Sequence, residues 1–154
     1  MKRAARNFAA VWGILLLAVS PLSLHAQISF GAADLSGASL GNPTSLHFGP
    51  DDRLYVSQQD GTIKAFTVQR NAANDYQVIA TETINLVKNN VQNHNDDGTL
   101  NGNESRQITG ILVTGTALNP VLIVSSSDSR IAGGGGGNDA NLDTNSGVIS
   151  RLTC

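Results

Sequence analysis

The sequence predicts an all-β fold assembled from repeated four-stranded antiparallel meanders, and three observations predict it. Short runs rich in Val, Ile, Thr and aromatic residues alternate apolar with polar positions, turn-forming residues separate them at short intervals, and the series of runs starts over once along the chain.

The first unit holds four such runs: "SLHF" (45–48), "RLYVSQ" (53–58), "TIKAFTV" (62–68) and "YQVIATETINL" (76–86). Alternation with period 2 puts one set of side chains on each side of a pleated strand, the pattern of a strand with one face against a core. The joints are "GPDD" (49–52), "QDG" (59–61) and "RNAAND" (70–75), where Gly, Asn and Asp supply tight-turn geometry. The pattern then returns. "ITGILVTG" (108–115) takes the place of "SLHFG", "NPVLIVSSS" (119–127) that of "RLYVSQ", and "GVISRLT" (147–153) that of "GTIKAFTV", with Gly61 and Gly147 in register. Leu54-Tyr55-Val56-Ser57 and Leu122-Ile123-Val124-Ser125 lie 68 positions apart.

A repeated four-stranded meander is the sequence form of a β-propeller blade. The expectation is therefore a propeller fragment of about one and three-quarter blades, continuing beyond residue 154. "ISF" at 28–30 is then a candidate outer strand for the blade that closes the ring. A seven-stranded two-sheet sandwich has the same strand count; the in-register repetition favours the propeller.

Residues 1–26 stand apart from this pattern. Lys2, Arg3 and Arg6 precede an apolar run from Phe8 to Val19, followed by Pro21 and a small-residue exit at Ala26, the layout of a secretory signal peptide. The rival, a retained anchor, calls for about 18 uninterrupted apolar residues. The expected organisation is a signal at 1–26 and a propeller portion at 27–154, secreted or periplasmic and free of the membrane after cleavage. The segment 1–26 carries three of the ten basic residues and none of the twelve acidic ones, so seven remain against twelve, a net charge of −5. That balance argues against a nucleic-acid partner, which needs clustered Lys and Arg. Cys154 is the sole cysteine and excludes an intrachain disulfide.

The run "NPTSLHFGPDDRLYVSQQDGTIKAFTV" (42–68) resembles the opening blade of the soluble glucose/sorbosone dehydrogenase family of six-bladed quinoprotein propellers. Leu40, Pro43, Leu46, Phe48, Pro50, Asp51, Leu54, Tyr55, Val56, Gly61 and Ile63 stand where that family's motif places its fixed positions. "RQITGILV" (106–113) and "NPVLIVSSS" resemble its second blade less closely, with Gln107 replacing a glycine. The resemblance implies pyrroloquinoline quinone as cofactor and a sugar or related alcohol as substrate. It carries over no catalytic residue, because the family's histidine base and its cofactor-binding arginines come from later blades. A cofactor-contacting glutamine of the family falls near Ser105, and Gln107 takes its place only if the register slips.

The long connections 87–107 and 128–146 are crowded with Asn, Asp and Gly, and in a propeller they emerge with 58–61 around the channel mouth. Loops on one face of a rigid scaffold are where binding groups collect. His94 beside Asp96 and Asp97 is a candidate acid/base or metal arrangement, for which a solvated loop histidine is the plainer reading, and Gln107 is a candidate contact on the same face. His47 alternates with Leu46 and Phe48 and is expected to face away from whatever those two bury. Behind five glycines, Asp139, Asn141, Asp143 and Asn145 fall on every second position before Gly147. The spacing fits either a calcium site, which gathers about 6–8 oxygens, or an Asx-rich turn. Two functions follow: an exported quinoprotein that oxidises a sugar or alcohol, and a non-catalytic propeller that binds carbohydrate or protein.

Overall fold

The computed structural model describes residues 31–95, 98–101, 106–129 and 147–153. The compact unit that begins at Ala32 is all-β, with propeller-like curvature in its larger sheet. Its elements in chain order are β1 (Leu35–Ser36), β2 (Pro43–Phe48), β3 (Leu54–Gln58), β4 (Ile63–Ala72), β5 (Asp75–Ile84), α1 (Leu86–Asn90), β6 (Asn93–His94), β7 (Leu100–Asn101), β8 (Gln107–Gly115), β9 (Pro120–Ser127) and β10 (Gly147–Thr153).

The first sheet has the order β1-β5-β4-β3-β2, in which β2 to β5 form an unbroken antiparallel meander and β1 adds a short parallel edge beside Tyr76 and Gln77. The second sheet, β10-β9-β8, is the same meander with three strands. Among the described residues no strand passes from one main sheet to the other. Each sheet is filled by consecutive strands, the connectivity of stacked blades and unlike a Greek-key sandwich, whose chain crosses between sheets. Leu54 pairs with Phe48 in the first sheet and Leu122 with Val113 in the second, so residues 68 positions apart hold the same second-strand place in their sheets.

Cross-strand partners share a face. On the inner face of the first sheet, Ser45, Ser57 and Ile63 form one row and His47, Tyr55 and Ala65 the next. On the inner face of the second, Ile111 and Val124 form one row and Val113, Leu122 and Leu152 another. These inner faces meet, with β8 lying against β2 and β3. Tyr55, Ile63, Ala65, Ile84 and Val87 bury themselves against Ile108, Val113, Leu122 and Val124. Each opposite, outer face continues the same alternation: Leu46, Phe48, Leu54, Val56 and Phe66 on the first sheet, and Gly110, Leu112, Ile123, Ser125 and Ile149 on the second.

Three details depart from the expected elements. The turn expected over 70–75 narrows to Ala73-Asn74, because β4 and β5 stay paired out to Ala72 and Asp75 and Asn74 adopts a φ of 60°. The final run ends at Ile84 and the next residues turn into α1, since Val87 and Val91, four apart on one helical face, both pack on the core. His47 does face away from Leu46 and Phe48, but it is His47 that turns toward the second sheet, while Leu46 and Phe48 are 64% and 59% exposed. Among the described residues no helix is long and apolar enough to cross a membrane.

Candidate functional site

Three connections gather at one end of the sheets: the tight link after β3, the segment from α1 to β7, and the strand ends where β8 begins and β9 finishes. Gly61 is the hinge point. Its φ is +82°, and a Cβ there would lie 2.6 Å from the carbonyl oxygen of Arg106, so only glycine lets the first turn lie against the lead-in to β8. Lys88 N–H donates to the carbonyl of Gly61 at 3.2 Å, which fixes α1 to the same turn.

The side chains of that turn form a connected set. Buried Gln58 accepts from Gly41 N–H at 2.7 Å and donates to the hydroxyl of Thr62. The Thr62 hydroxyl in turn donates to Asp60 at 2.7 Å, and Lys88 Nζ reaches the other Asp60 oxygen at 3.1 Å. Burial pushes the Asp60 carboxyl up, but the bonds from Thr62 and Lys88 outweigh it and leave the group below the usual carboxylate range.

Arg106 anchors the second part. It is buried, donating from Nε to the Ser126 hydroxyl at 3.0 Å, from Nη2 to the Ser126 carbonyl at 3.2 Å and from Nη1 to Asn93 Oδ1 at 3.2 Å. Burial lowers its pKa, and the charge of Asp128 acts in the opposite sense. Asn93 lies in the small hairpin that pairs Asn93 with Asn101 and His94 with Leu100. Asn95 closes that hairpin, donating to Thr99 at 3.0 Å and accepting from Asn101 at 3.2 Å. The guanidinium thus ties an Asn-rich hairpin to the end of β9.

His94 is half-buried in β6, and Gln107 is half-buried at the start of β8 opposite Ser127. Both therefore belong to this end of the unit. Asp96, Asp97, Ser105, Asp139, Asn141, Asp143 and Asn145 lie outside the described residues, so the His94–carboxylate pairing and the calcium spacing have no geometry to report. Among the described residues no group of three or more His, Cys, Asp and Glu side chains is placed to hold a metal ion. Arg106 gave no sequence signal beyond its place before a strand, and its role follows from the fold. The Asn-rich composition of 87–107 predicts a loop, and the structure folds part of it into the β6–β7 hairpin.

The opposite end carries a second polar cluster. Arg53 Nε donates to Asp51 at 2.6 Å, Nη1 to Glu82 at 2.5 Å and Nη2 to the Tyr55 hydroxyl at 2.7 Å; that hydroxyl donates to Asp51 at 2.8 Å. Burial raises the Asp51 pKa, but the bonds from Arg53 and Tyr55 prevail and hold the carboxyl low. Burial and the adjacent carboxylate raise the Tyr55 phenol well above its ordinary value. Asp51 lies in the β2–β3 turn and Arg53 just before β3, so it is the turn that brings both onto Tyr55.

No family model, curated protein or solved structure matches the chain.

Proposed function

We propose that the chain is part of an exported propeller-type protein that binds a sugar or related polyhydroxylated small molecule at the Asn-rich end of its sheets. The observation that carries the reading is the gathering of Asn93, Asn95, Asn101 and His94 on a hairpin held in place by buried Arg106. Amides and imidazole both donate and accept hydrogen bonds, the chemistry that recognises hydroxyl groups. Export rests on the layout of residues 1–26, and the acidic balance of the remainder speaks for a neutral ligand over a polyanion.

The narrower reading, oxidation of that sugar or alcohol with pyrroloquinoline quinone, is favoured by the motif-like run 42–63. The quinone is a tricarboxylate and calls for cations facing the ligand. Among the described residues at this end, Arg106 is turned inward onto Ser126 and Asn93, and Lys88 is paired with Asp60. These residues do not form a cradle for the group, and no hydride-transfer step is assigned to them. If the quinone binds, it supplies the electron acceptor, and the part assigned to this chain is holding the sugar hydroxyls.

Saturation-transfer NMR of the purified full-length chain with glucose, other aldoses and polyols tests the binding. Transfer to a sugar that is lost in an Asn95→Ala variant supports it, and no transfer to any of them contradicts it. Dye-linked oxidation of the same sugars with added quinone and calcium separates the narrower reading: turnover supports a dehydrogenase, and binding without turnover leaves the carbohydrate-binding module.

A further inference from the structure

We infer that Thr44 and Thr109 are ligand-contacting residues of the sugar site, where their hydroxyls accept hydrogen bonds from the hydroxyl groups of the ligand. The inference rests on the sugar-binding reading above and adds to it two residues from the first strands of the two meanders. Both are the extra residue of a β-bulge. Pro43 pairs with Gln58 and Ser45 with Ser57, which leaves Thr44 as the inserted position on β2. Ile108 pairs with Ser126 and Gly110 with Ser125, which leaves Thr109 as the inserted position on β8. Each threonine hydroxyl lies 3.0 Å from that of the serine opposite its bulge, Ser57 in the first sheet and Ser125 in the second. A bulge sets two residues against one and so re-aims a side chain out of the alternation of its strand, a device that recurs beside active sites. Here it stands at the same place in both repeats, on the edge strands β2 and β8 that lie against each other.

The direction of the first hydroxyl pair follows from its neighbours. Ser57 donates its one hydroxyl proton to the carbonyl of Ser45 at 3.1 Å, so in its contact with Thr44 it accepts and Thr44 donates. The proton of Thr44 is thereby engaged inward, and the oxygen keeps acceptor capacity for another partner. Ser57 is fully buried while Thr44 is exposed, which puts that acceptor at the surface. A sugar hydroxyl donates one hydrogen bond and is the complementary group. Thr109, exposed beside half-buried Ser125, repeats the arrangement. Gly110 leaves it room, since a Cβ there would lie 2.8 Å from the Ser125 hydroxyl oxygen.

Both threonines lie at the end of the sheets that carries the Asn-rich hairpin. Gln59 N–H donates to the carbonyl of Asn42 at 3.0 Å, the turn at Gly61 lies against the carbonyl of Arg106, and Thr109 follows that arginine on the way into β8. The openness of these positions is also compatible with a longer propeller. Thr44 is exposed although the second sheet is already packed on the first, and a further sheet would stand to Thr109 as the second sheet stands to Thr44.

Saturation-transfer NMR titrations of the purified full-length chain with glucose, other aldoses and polyols test this, with the melting temperature of each variant measured beside its affinity. Thr44→Val and Thr109→Val keep the β-branched shape and remove the hydroxyl, and each is expected to weaken sugar binding about three- to tenfold, the worth of one hydrogen bond. Thr44→Ser and Thr109→Ser keep the hydroxyl and are expected to bind as the wild type does. Thr109→Val, on the other sheet, carries the comparison should Thr44→Val fail to fold. Folded valine variants that bind as tightly as the wild type overturn the inference and leave sugar binding at the hairpin standing, and a lowered melting temperature with unchanged affinity shows that the hydroxyls only fasten the bulges. A wild type that binds none of these sugars is the failure of the sugar reading itself and overturns both.

Discussion

The two sheets use one strand grammar and differ in what surrounds it. Ile63 and Ile149 hold equivalent positions, yet the first is fully buried and the second 77% exposed. Leu122 is fully buried, whereas its counterpart Leu54 is only half-covered. The links between second and third strands diverge as well: four residues join β3 to β4, while nineteen separate β9 from β10. Strand pairing follows the alternation of side chains, which is local, whereas burial and loop length depend on what each sheet faces. Equivalent residues thus become a natural set of controls, each position testing its partner.

The largest difference is expected in the core. Leu122→Ala removes a fully buried side chain between the sheets and should cost about 2–5 kcal/mol, with the cavity left behind setting where in that range it falls. Leu54→Ala, at the matching but only half-covered position, should cost less than half as much. Urea denaturation of the two variants measures the gap, and equal losses would mean that the sheets do not differ as described.

The next control is Gly61 against Gly147. Gly61 has a φ of +82° and a carbonyl 2.6 Å from any added Cβ, while a Cβ on Gly147 meets nothing within 4 Å. Gly61→Ala should destabilise by more than about 1 kcal/mol, from left-handed strain and the clash together, and should perturb the Lys88 and Arg106 contacts. Gly147→Ala should be close to neutral. Thermal melts distinguish the two.

Gly61 also shows how far the sequence could be read. All seven strands of the two meanders were legible, because a period of two over runs such as "RLYVSQ" admits few other structures once turns flank it. The repeat was legible for the same reason, and with it the register that relates the four faces. Helix α1 was hidden: "LVKNNV" spans little more than one turn, and its Val87–Val91 stripe is informative only when a core is known to lie beneath it. The β6–β7 hairpin was hidden because its strands are two residues long and polar. Arg106 was unreadable as an anchor because its partners Asn93 and Ser126 lie 13 and 20 positions away. His47 shows the limit of alternation: the pattern tells which residues share a side and leaves open which side is covered.

A smaller effect is expected at the charged corner, which the first sheet has at its β2–β3 turn and the second replaces with the turn from Thr116 to Asn119. Tyr55→Phe removes the hydroxyl that bonds Asp51 and Arg53 and should cost about 0.5–1.5 kcal/mol. The carboxyls of Asp51 and Asp60 both titrate below their ordinary value in the folded chain. Their stabilisation is therefore full above the unfolded carboxylate pKa, about 4, and is lost as the pH falls through the depressed folded values. Stability measured from pH 6 down to pH 2 should decline on the acid side, and less so in an Asp51→Asn variant, which begins lower and titrates one group fewer.

The smallest effect concerns the long link of the second sheet. The proposed calcium site at Asp139, Asn141, Asp143 and Asn145 has only two carboxylates, which places its affinity near the weak extracellular range of about 10⁻⁴–10⁻³ M. Calorimetric titration should give weak heats that vanish in an Asp139→Ala, Asp143→Ala double variant. Identical heats in both proteins would leave the segment an Asx-rich turn.

The central claim is that the two sheets are equivalent units that meet through their inner faces, so that Ile63 lies between them and its counterpart Ile149 lies on the outer side of the second sheet. Replacing Ile63 and Ile149 in turn by Asp tests it most directly, with urea denaturation of each variant beside the wild type. The account predicts that Ile63→Asp abolishes the cooperative transition, because the charge would sit between the packed sheets, and that Ile149→Asp leaves the midpoint almost unmoved. Equal destabilisation by the two substitutions would show that the second sheet's outer face is already part of a core, and the description of the molecule as two repeats joined by their inner faces would be wrong.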